Sequence, residues 1–283
     1  MLFPRISLLR CGWFVLPGLV ALAGCAAGSN GPALGRLSLG LADSALAGGA
    51  PALALQVSKA VLARSPNDVP ALLRRGDAYY QLGDMPRAGA SYRQAATLQP
   101  HSVAALMGLG RVALATDPAQ ASAHFSEVLA LEPGNQTALS NRGVASDLAG
   151  LHAEAQADYR KAIAAAEADA RRGIGDGAEN GALAATQVDL AVSLAISGQP
   201  GEAVRILRPI AASPDASPRV RQDLAMALTL DDQADEAGRL LLTQMSQDEA
   251  RSAIAGYRVL RDPAARPPAF DDDRAKHAGG DAS

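Results

Sequence analysis

The chain has 283 residues, of which 48% are hydrophobic, 19% charged and only 4% aromatic, and its formal net charge is −3. A chain of this length and apolar content can bury a sizeable core. The slightly acidic balance argues against nucleic acid as a partner, because binding phosphates requires clustered Lys and Arg. Frequent alanine with few aromatic and β-branched runs favours helices over a sheet.

Residues 1–24 have the three parts of an export signal. Arg5 and Arg10 make the start basic, an apolar run extends from Cys11 to Val20, and small residues lead to Cys25. A membrane-spanning helix is the alternative interpretation. The apolar run is shorter than the roughly 20 residues that spanning requires, however, and it contains Pro17.

The segment Leu22-Ala23-Gly24-Cys25 resembles the lipobox of bacterial lipoprotein precursors. The resemblance implies that the Cys25 thiolate receives a diacylglycerol and that residues 1–24 are removed as a signal peptide. Ala26 stands where this family uses aspartate for inner-membrane retention, which implies anchoring at the periplasmic face of the outer membrane. Residues 25–35 are then the lipidated cysteine and a flexible tether, and no cofactor besides this covalent lipid is expected.

The mature part of the chain repeats itself with a period of about 34 residues. A glycine, an alanine, an aromatic residue and a proline each return at this spacing: Gly76, Gly110 and Gly143; Ala88, Ala121 and Ala155; Tyr92, Phe125 and Tyr159; Pro100 and Pro133. The clearest unit, residues 69–102, resembles the tetratricopeptide family at Leu72, Gly76, Tyr79, Ala88, Tyr92, Ala95 and Pro100. The resemblance implies a helix-turn-helix in each repeat.

The same residues make sense as a packing pattern. Leu72, Gly76 and Tyr79 lie on one face of a first helix, and Ala88, Tyr92 and Ala95 lie on one face of a second. Small residues allow the two helix axes to approach closely, and the aromatic ring fills the remaining space. Gly83 is predicted to end the first helix, Asp84 to cap the second, and Pro100 to prevent its continuation.

The predicted fold is therefore all-α, a tetratricopeptide-type solenoid of helical hairpins with about five to six repeats. A degenerate capping repeat occupies residues 36–68, three repeats occupy 69–168, and an insertion at 169–183 is predicted as a lengthened helix end followed by a loop. Two further repeats at 184–247 are marked by Ala203, Leu207, Ala237 and Leu241. A capping helix at 248–261 and a disordered tail at 262–283 complete the prediction.

Motifs for chemistry are weak in this sequence, so no catalytic residue and no metal site are expected. The four histidines are scattered without ligand spacing. Two segments fit a loose G-x-G-x-x-A pattern, from Gly108 to Ala113 and from Gly173 to Ala178, but neither follows a strand as a dinucleotide-binding loop must. Binding of a protein partner is the remaining class of function, and the chain is predicted not to be an enzyme.

Tetratricopeptide repeats bind partners in a groove lined by their first helices, and the resemblance implies such a groove here. The resemblance to groove positions of the tetratricopeptide family assigns eight residues to that groove: Leu73, Asp77, Tyr80, Met107, Arg111, Ser140, Val144 and Asp147. Their mixture of polar and apolar side chains suits a peptide or helix from another protein. The alternative is that they are exposed helix residues without a partner.

The C-terminal part resembles the TadD family, the tetratricopeptide lipoproteins of the tight-adherence (Flp) pilus assembly system. The similarity is carried by residues 189–198, 203–225 and 256–261, which include Ser-Pro-Arg-Val-Arg-Gln and Tyr-Arg-Val-Leu-Arg. Asp223 departs from an expected asparagine, and residues 231–233 depart from a Gly-containing turn. The resemblance implies a pilotin-like role toward an outer-membrane secretin or other pilus components. The alternative is an adaptor for cell-wall hydrolases or outer-membrane assembly factors.

Overall fold

The computed structural model describes residues 31–173 and 177–261. These ranges contain 13 α-helices and no β-strand. The helices are α1 (Gly31–Ala47), α2 (Pro51–Arg64), α3 (Val69–Gln81), α4 (Met85–Leu98), α5 (Val103–Ala113), α6 (Pro118–Leu131), α7 (Gln136–Leu148), α8 (His152–Arg171), α9 (Gly177–Ile196), α10 (Pro200–Ala211), α11 (Pro218–Leu230), α12 (Ala234–Leu241) and α13 (Gln247–Val259).

The helices stack as successive hairpins in which each helix packs against the next one along the chain. Second-neighbour contacts join α1 to α3, α3 to α5, α7 to α9, α9 to α11 and α11 to α13. Among the described helices, successive even-numbered ones make no comparable contact. The odd-numbered helices therefore line the inner side of the stack, and the even-numbered helices form its outer side.

Caps at the helix ends explain why the chain turns where it does. The Asp84 carboxylate accepts the Arg87 backbone N–H at 3.1 Å, as predicted from the sequence, and Asp117 accepts the Gln120 N–H at 2.9 Å. Gly83 closes the preceding turn with φ +77°, a conformation that an L side chain rarely adopts. Five inner helices also begin with an N-cap side chain that accepts a backbone N–H: Asp68, Ser102, Asn135, Ser217 and Ser246.

Two helix bounds differ from the sequence interpretation. Helix α1 already begins at Gly31, so residues 31–35, predicted as part of a flexible tether, are helical, with Pro32 in the first turn. The predicted insertion loop at 169–183 is largely helical as well, because α8 runs to Arg171 and α9 begins at Gly177. Alanine-rich sequence on both sides favours helix more strongly than the scattered glycines oppose it. Residues 174–176, residues 1–30 with the predicted signal peptide, and the tail from 262 lie outside the described residues.

The three predicted glycines each face an aromatic ring. A Cβ added at Gly76 would lie 2.5 Å from Tyr92 Cε1, one at Gly110 would lie 2.5 Å from Phe125 Cε1, and one at Gly143 would lie 2.6 Å from Tyr159 Cε1. The three rings are 0–1% exposed. Only glycine leaves room for a ring at this distance, so the repeat pattern of small and aromatic residues is a packing requirement.

Gly108 is a fourth glycine of this kind, and the repeat pattern did not predict its role. A Cβ at Gly108 would lie 2.5 Å from Tyr92 Cδ1. Tyr92 therefore packs between Gly76 of its own repeat and Gly108 of the next. The Gly-x-Gly spacing at residues 108–110 that superficially resembled a nucleotide-binding loop serves two consecutive ring contacts.

The last two repeats use other residues for the same contact. Ala191 and Ala225 take the glycine position, and Leu207 and Leu241 take the aromatic position. All four side chains have 0% exposure. The other predicted packing residues are also buried, namely Leu72, Ala88, Ala95, Ala121, Ala155, Ala203 and Ala237, whereas Tyr79 is half-buried and Pro100 and Pro133 lie in exposed turns.

Candidate partner-binding face

The eight predicted groove residues all lie on the inner helices α3, α5 and α7. Seven of them are partly exposed, as a binding face requires. Leu73 is the exception, because it is only 9% exposed and belongs to the same buried cluster as Leu39 and Val61. Leu73 is therefore a core residue, and its prediction as a groove residue is wrong.

The groove residues of α3 and α5 bind one another. Asp77 Oδ1 accepts the Tyr92 hydroxyl at 2.7 Å and an Arg111 guanidinium N–H at 2.9 Å. The Arg111 guanidinium also lies over the Tyr80 ring, 4.8 Å from its centroid. Burial, followed by the charge of Asp77, raises the pKa of Tyr92, so its hydroxyl keeps the proton that it donates. This half of the face is rigid and internally neutralised.

Asp147 organises the middle of the face across three helices. Its Oδ1 accepts the Ser193 hydroxyl from α9 at 2.7 Å, and His152 Nδ1 at the start of α8 lies 2.8 Å from the same oxygen. Its Oδ2 accepts the Tyr159 hydroxyl at 3.0 Å. Burial, followed by the charge of Asp147, raises the pKa of Tyr159. Asp147 thus holds α7, α8 and α9 together and is not a free acceptor.

The remaining predicted residues are Met107, Ser140 and Val144. Ser140 Oγ lies 2.9 Å from Thr186 Oγ1, which adds a second link between α7 and α9. Met107 and Val144 are partly buried hydrophobic side chains that pack on the core from the inner face. They are the apolar positions that a partner can contact on α5 and α7.

One repeat position shows how the face changes along the stack. Asp77, Arg111, Val144, Val192 and Met226 occupy equivalent positions on α3, α5, α7, α9 and α11. The first two are charged and paired to each other, whereas the last three are apolar. Val192 and Met226 were not singled out from the sequence, although their separation by one repeat period was the available signal. At this one position the inner side is charged on α3 and α5 and apolar on α7, α9 and α11.

Two carboxylates lie beside these apolar positions. Asp189 on α9 and Asp223 on α11 are one repeat period apart and occupy equivalent positions. Asp223 Oδ2 is buried without a hydrogen-bond donor among the described residues. Burial raises the pKa of both carboxyl groups; the charge of Arg219 opposes this, while Asp147 and Asp223 add to it for Asp189. Both anions have lost hydration without a full set of compensating donors.

Cys25, the predicted lipidation residue, lies outside the described residues. No helix in the described ranges combines the length and the apolar content needed to cross a bilayer. In residues 31–173 and 177–261, no three His, Cys, Asp or Glu side chains come together as a metal site requires.

Paired helices, small-residue contacts and a continuous inner face define a helical-hairpin repeat protein. The family match agrees with this class: residues 39–102, 73–117 and 115–170 match the tetratricopeptide repeat. The described part of the chain is therefore an all-helical solenoid, in which residues 39–170 match the tetratricopeptide repeat. A search of curated protein sequences gives no significant match.

Solved structures share this fold at low sequence identity. The chain is similar to PilW, described as a widely conserved type IV pilus biogenesis factor, with a TM-score of 0.64, 21% identity, and coverage of 78% of this chain and 98% of that one. It is similar to pilF of Pseudomonas aeruginosa with a TM-score of 0.61, 15% identity, and coverage of 79% and 99%. TTC0263, a tetratricopeptide protein of Thermus thermophilus, gives 0.55, 19%, and coverage of 69% and 98%. At these identities the likeness concerns the fold.

Proposed function

We propose that this protein is a non-enzymatic scaffold, anchored through lipid on Cys25 to the periplasmic face of the outer membrane, that holds a component of a tight-adherence (Flp-type) pilus assembly system. The observation that carries the proposal is the match of this solenoid to nearly the whole length of PilW and pilF. Both comparison proteins consist almost entirely of the stack that this chain also forms. The TadD resemblance of residues 189–261 supports the tight-adherence system in particular.

The inner face provides the physical means. Internal bonds such as those of Asp77 and Asp147 hold the face in one conformation before binding, so little conformational entropy is lost when a partner docks. A lipid anchor confines this face to the vicinity of the bilayer and raises the effective concentration of a membrane-bound partner. Together these properties suit a pilotin-like protein that assists a secretin, without any covalent chemistry.

Affinity purification tests the partner. The full-length protein with a C-terminal affinity tag is purified from detergent-solubilised membranes of its native host, and bound proteins are identified by mass spectrometry. We expect secretin or other pilus-assembly components. Recovery of cell-wall hydrolases or outer-membrane assembly factors in their place would support an adaptor role and contradict the pilus proposal.

The anchor is tested by labelling cells with a radioactive or clickable fatty acid. Cys25→Ser is expected to abolish labelling and to leave the precursor uncleaved, because the thiolate is the acceptor. Cys11→Ser is the matched control, since it removes the other cysteine from the same region and is expected to keep full labelling. Undiminished labelling of Cys25→Ser would refute the anchor, whatever the partner is.

A further inference from the structure

Three valines of the inner face are partly exposed although they border a buried core. Val144, Val188 and Val192 pack against the largest buried cluster, whereas the equivalent Met226 is 9% exposed and belongs to that cluster. We call these three valines, which lie on α7 and α9, the apolar strip.

The two carboxylates beside this strip distinguish it from an ordinary exposed apolar face. Asp189 directly follows Val188, and Asp223 lies three residues before Met226. No hydrogen bond from the described residues reaches the side chain of Asp189, and Asp223 Oδ2 has no donor. Arg219 is the cation that acts on both, but it is itself exposed and forms no ion pair with them in the described ranges.

The other half of the face lacks this property. There the corresponding inner-face charge, Asp77, already has Arg111 and the Tyr92 hydroxyl as donors. A basic group arriving at Asp77 would have to compete with an existing ion pair. A basic group arriving at Asp189 or Asp223 would instead give a half-buried anion a partner that it does not have.

We propose that the apolar strip and the Asp189–Asp223 pair form the specific docking site for a segment of a partner protein that carries a Lys or Arg among aliphatic residues. The aliphatic side chains cover Val144, Val188 and Val192, and the cation lies between the two carboxylates. This inference rests on the proposed function in one respect, namely that a protein partner uses the inner face. It adds that the partner uses the part of the inner face formed by the later repeats, and that this part recognises a basic residue among aliphatic ones.

A stability trade-off follows from the same geometry. A carboxylate that gains its partner only on binding lowers the stability of the unbound fold, whereas a carboxylate that is paired within the fold stabilises it. Replacing Asp189 and Asp223 by Asn removes the charge at nearly constant volume. The double variant is therefore expected to be at least as heat-stable as the wild type while it loses its selectivity for basic peptides.

The test uses a random dodecapeptide library displayed on phage and the full mature chain, from Cys25 to Ser283, purified in detergent. Wild-type protein is expected to enrich peptides that combine Lys or Arg with aliphatic residues. Asp189→Asn/Asp223→Asn is expected to weaken the best of these peptides by about tenfold or more in fluorescence anisotropy, because one side of a partly buried charge pair is removed. Asp215→Asn/Asp248→Asn, which removes two exposed carboxylates, is the matched control and should change affinity by less than about twofold.

A change in the peptide guards against a variant that does not fold. Substituting Gln for the basic residue of the best peptide should cost about tenfold against the wild-type protein and almost nothing against the Asn double variant. Absence of enrichment, enrichment of acidic or uncharged peptides, or equal binding to both proteins would overturn the inference. None of those results would affect the pilus proposal, which depends on the proteins recovered from membranes.

Discussion

The repeats before and after the α8–α9 connection fill the same helix-helix contact with different side chains. Before it, glycine faces an aromatic ring, as in the pairs Gly110 with Phe125 and Gly143 with Tyr159. After it, Ala191 and Ala225 are combined with Leu207 and Leu241, and all four are fully buried. Glycine paired with a large aromatic ring and alanine paired with the smaller leucine fill the same interface. What the fold requires at this contact is a combined volume, and the glycine is dictated by its ring.

The two regions also differ on their inner faces. The first half satisfies its charges internally through Asp77 and Arg111, whereas the second half leaves an apolar strip beside two poorly hydrated carboxylates. Under the docking proposal, stability and binding are therefore separated along one stack. The following predictions test this comparison, from the largest expected effect to the smallest.

Removing an aromatic ring should have the largest effect. Phe125→Ala is expected to lower the free energy of unfolding by about 3–5 kcal/mol, because the ring is fully buried and leaves a cavity beside Gly110. Urea denaturation followed by far-UV circular dichroism measures this loss. Leu131→Ala, at a side chain 41% exposed in the same helix, is the control and should cost much less.

The corresponding change in the second region should be somewhat milder. Leu207→Ala is expected to cost about 2–5 kcal/mol, since the side chain is fully buried but smaller than a ring. The same denaturation experiment gives the value. A loss below that of an exposed site such as Leu242→Ala would contradict the equivalence of the two contacts.

Converting one type of contact into the other sharpens the comparison. Gly110→Ala alone is expected to cost about 1–3 kcal/mol, because its Cβ would meet the Phe125 ring. Combined with Phe125→Leu, which recreates the alanine-leucine pair of the later repeats, the total cost should fall below the sum of the single costs by about 0.5–3 kcal/mol. A double-mutant cycle measures this coupling. Strict additivity would show that combined volume is not the governing quantity.

The ring hydroxyls should contribute less than the rings. Tyr159→Phe removes the hydrogen bond to Asp147, and Tyr92→Phe removes both the hydrogen bond to Asp77 and the one accepted from Arg111 at 3.3 Å; each variant is expected to cost about 1 kcal/mol per hydrogen bond lost. The third repeat is a natural control, because Phe125 already lacks a hydroxyl. Losses as large as that of a deleted ring would indicate that the polar contact, and not ring packing, holds the repeats together.

The smallest effect concerns pH. Because burial raises the folded-state pKa of Asp189 and Asp223 above the unfolded value, these groups bind protons more readily in the folded state. Their contribution to stability is therefore fully present below the unfolded pKa and is lost as pH rises through the raised pKa. Asp189→Asn/Asp223→Asn should flatten this dependence in thermal melts over the acidic range that begins near the unfolded pKa of about 4 and extends upward. An unchanged profile would show that neither group titrates differently on folding.

Much of the fold could be predicted from the sequence, because a small-residue requirement that returns once in every hairpin leaves a readable trace. The helix pairs and Gly76, Gly110 and Gly143 in equivalent contacts confirm the prediction of a tetratricopeptide solenoid. The insertion at 169–183 was predicted as a lengthened helix end followed by a loop, and the loop was made too long because glycine weighed more in the interpretation than the flanking alanines. When helix propensity is summed over the whole of α8 and α9, the alanines outweigh the glycines.

The binding face was less predictable. Sequence position placed Asp77 and Arg111 on the inner helices, but the bond between them depends on side-chain directions across two repeats. Likewise, His152 is one of four histidines that are scattered in the sequence, although the fold brings it to Asp147. Leu73 was predicted as exposed because the packing of the weak first repeat over α3 could not be judged from its degenerate sequence.

The position of Tyr92 between two glycines of adjacent repeats has a consequence for folding. Its ring belongs to one hairpin, yet Gly108 of the following hairpin packs directly against it. Unfolding of that following hairpin would expose the ring and destabilise the preceding hairpin. Neighbouring hairpins are therefore expected to unfold together. The stack then resembles a one-dimensional array with strong nearest-neighbour coupling, in which loss of order starts at the ends and spreads inward.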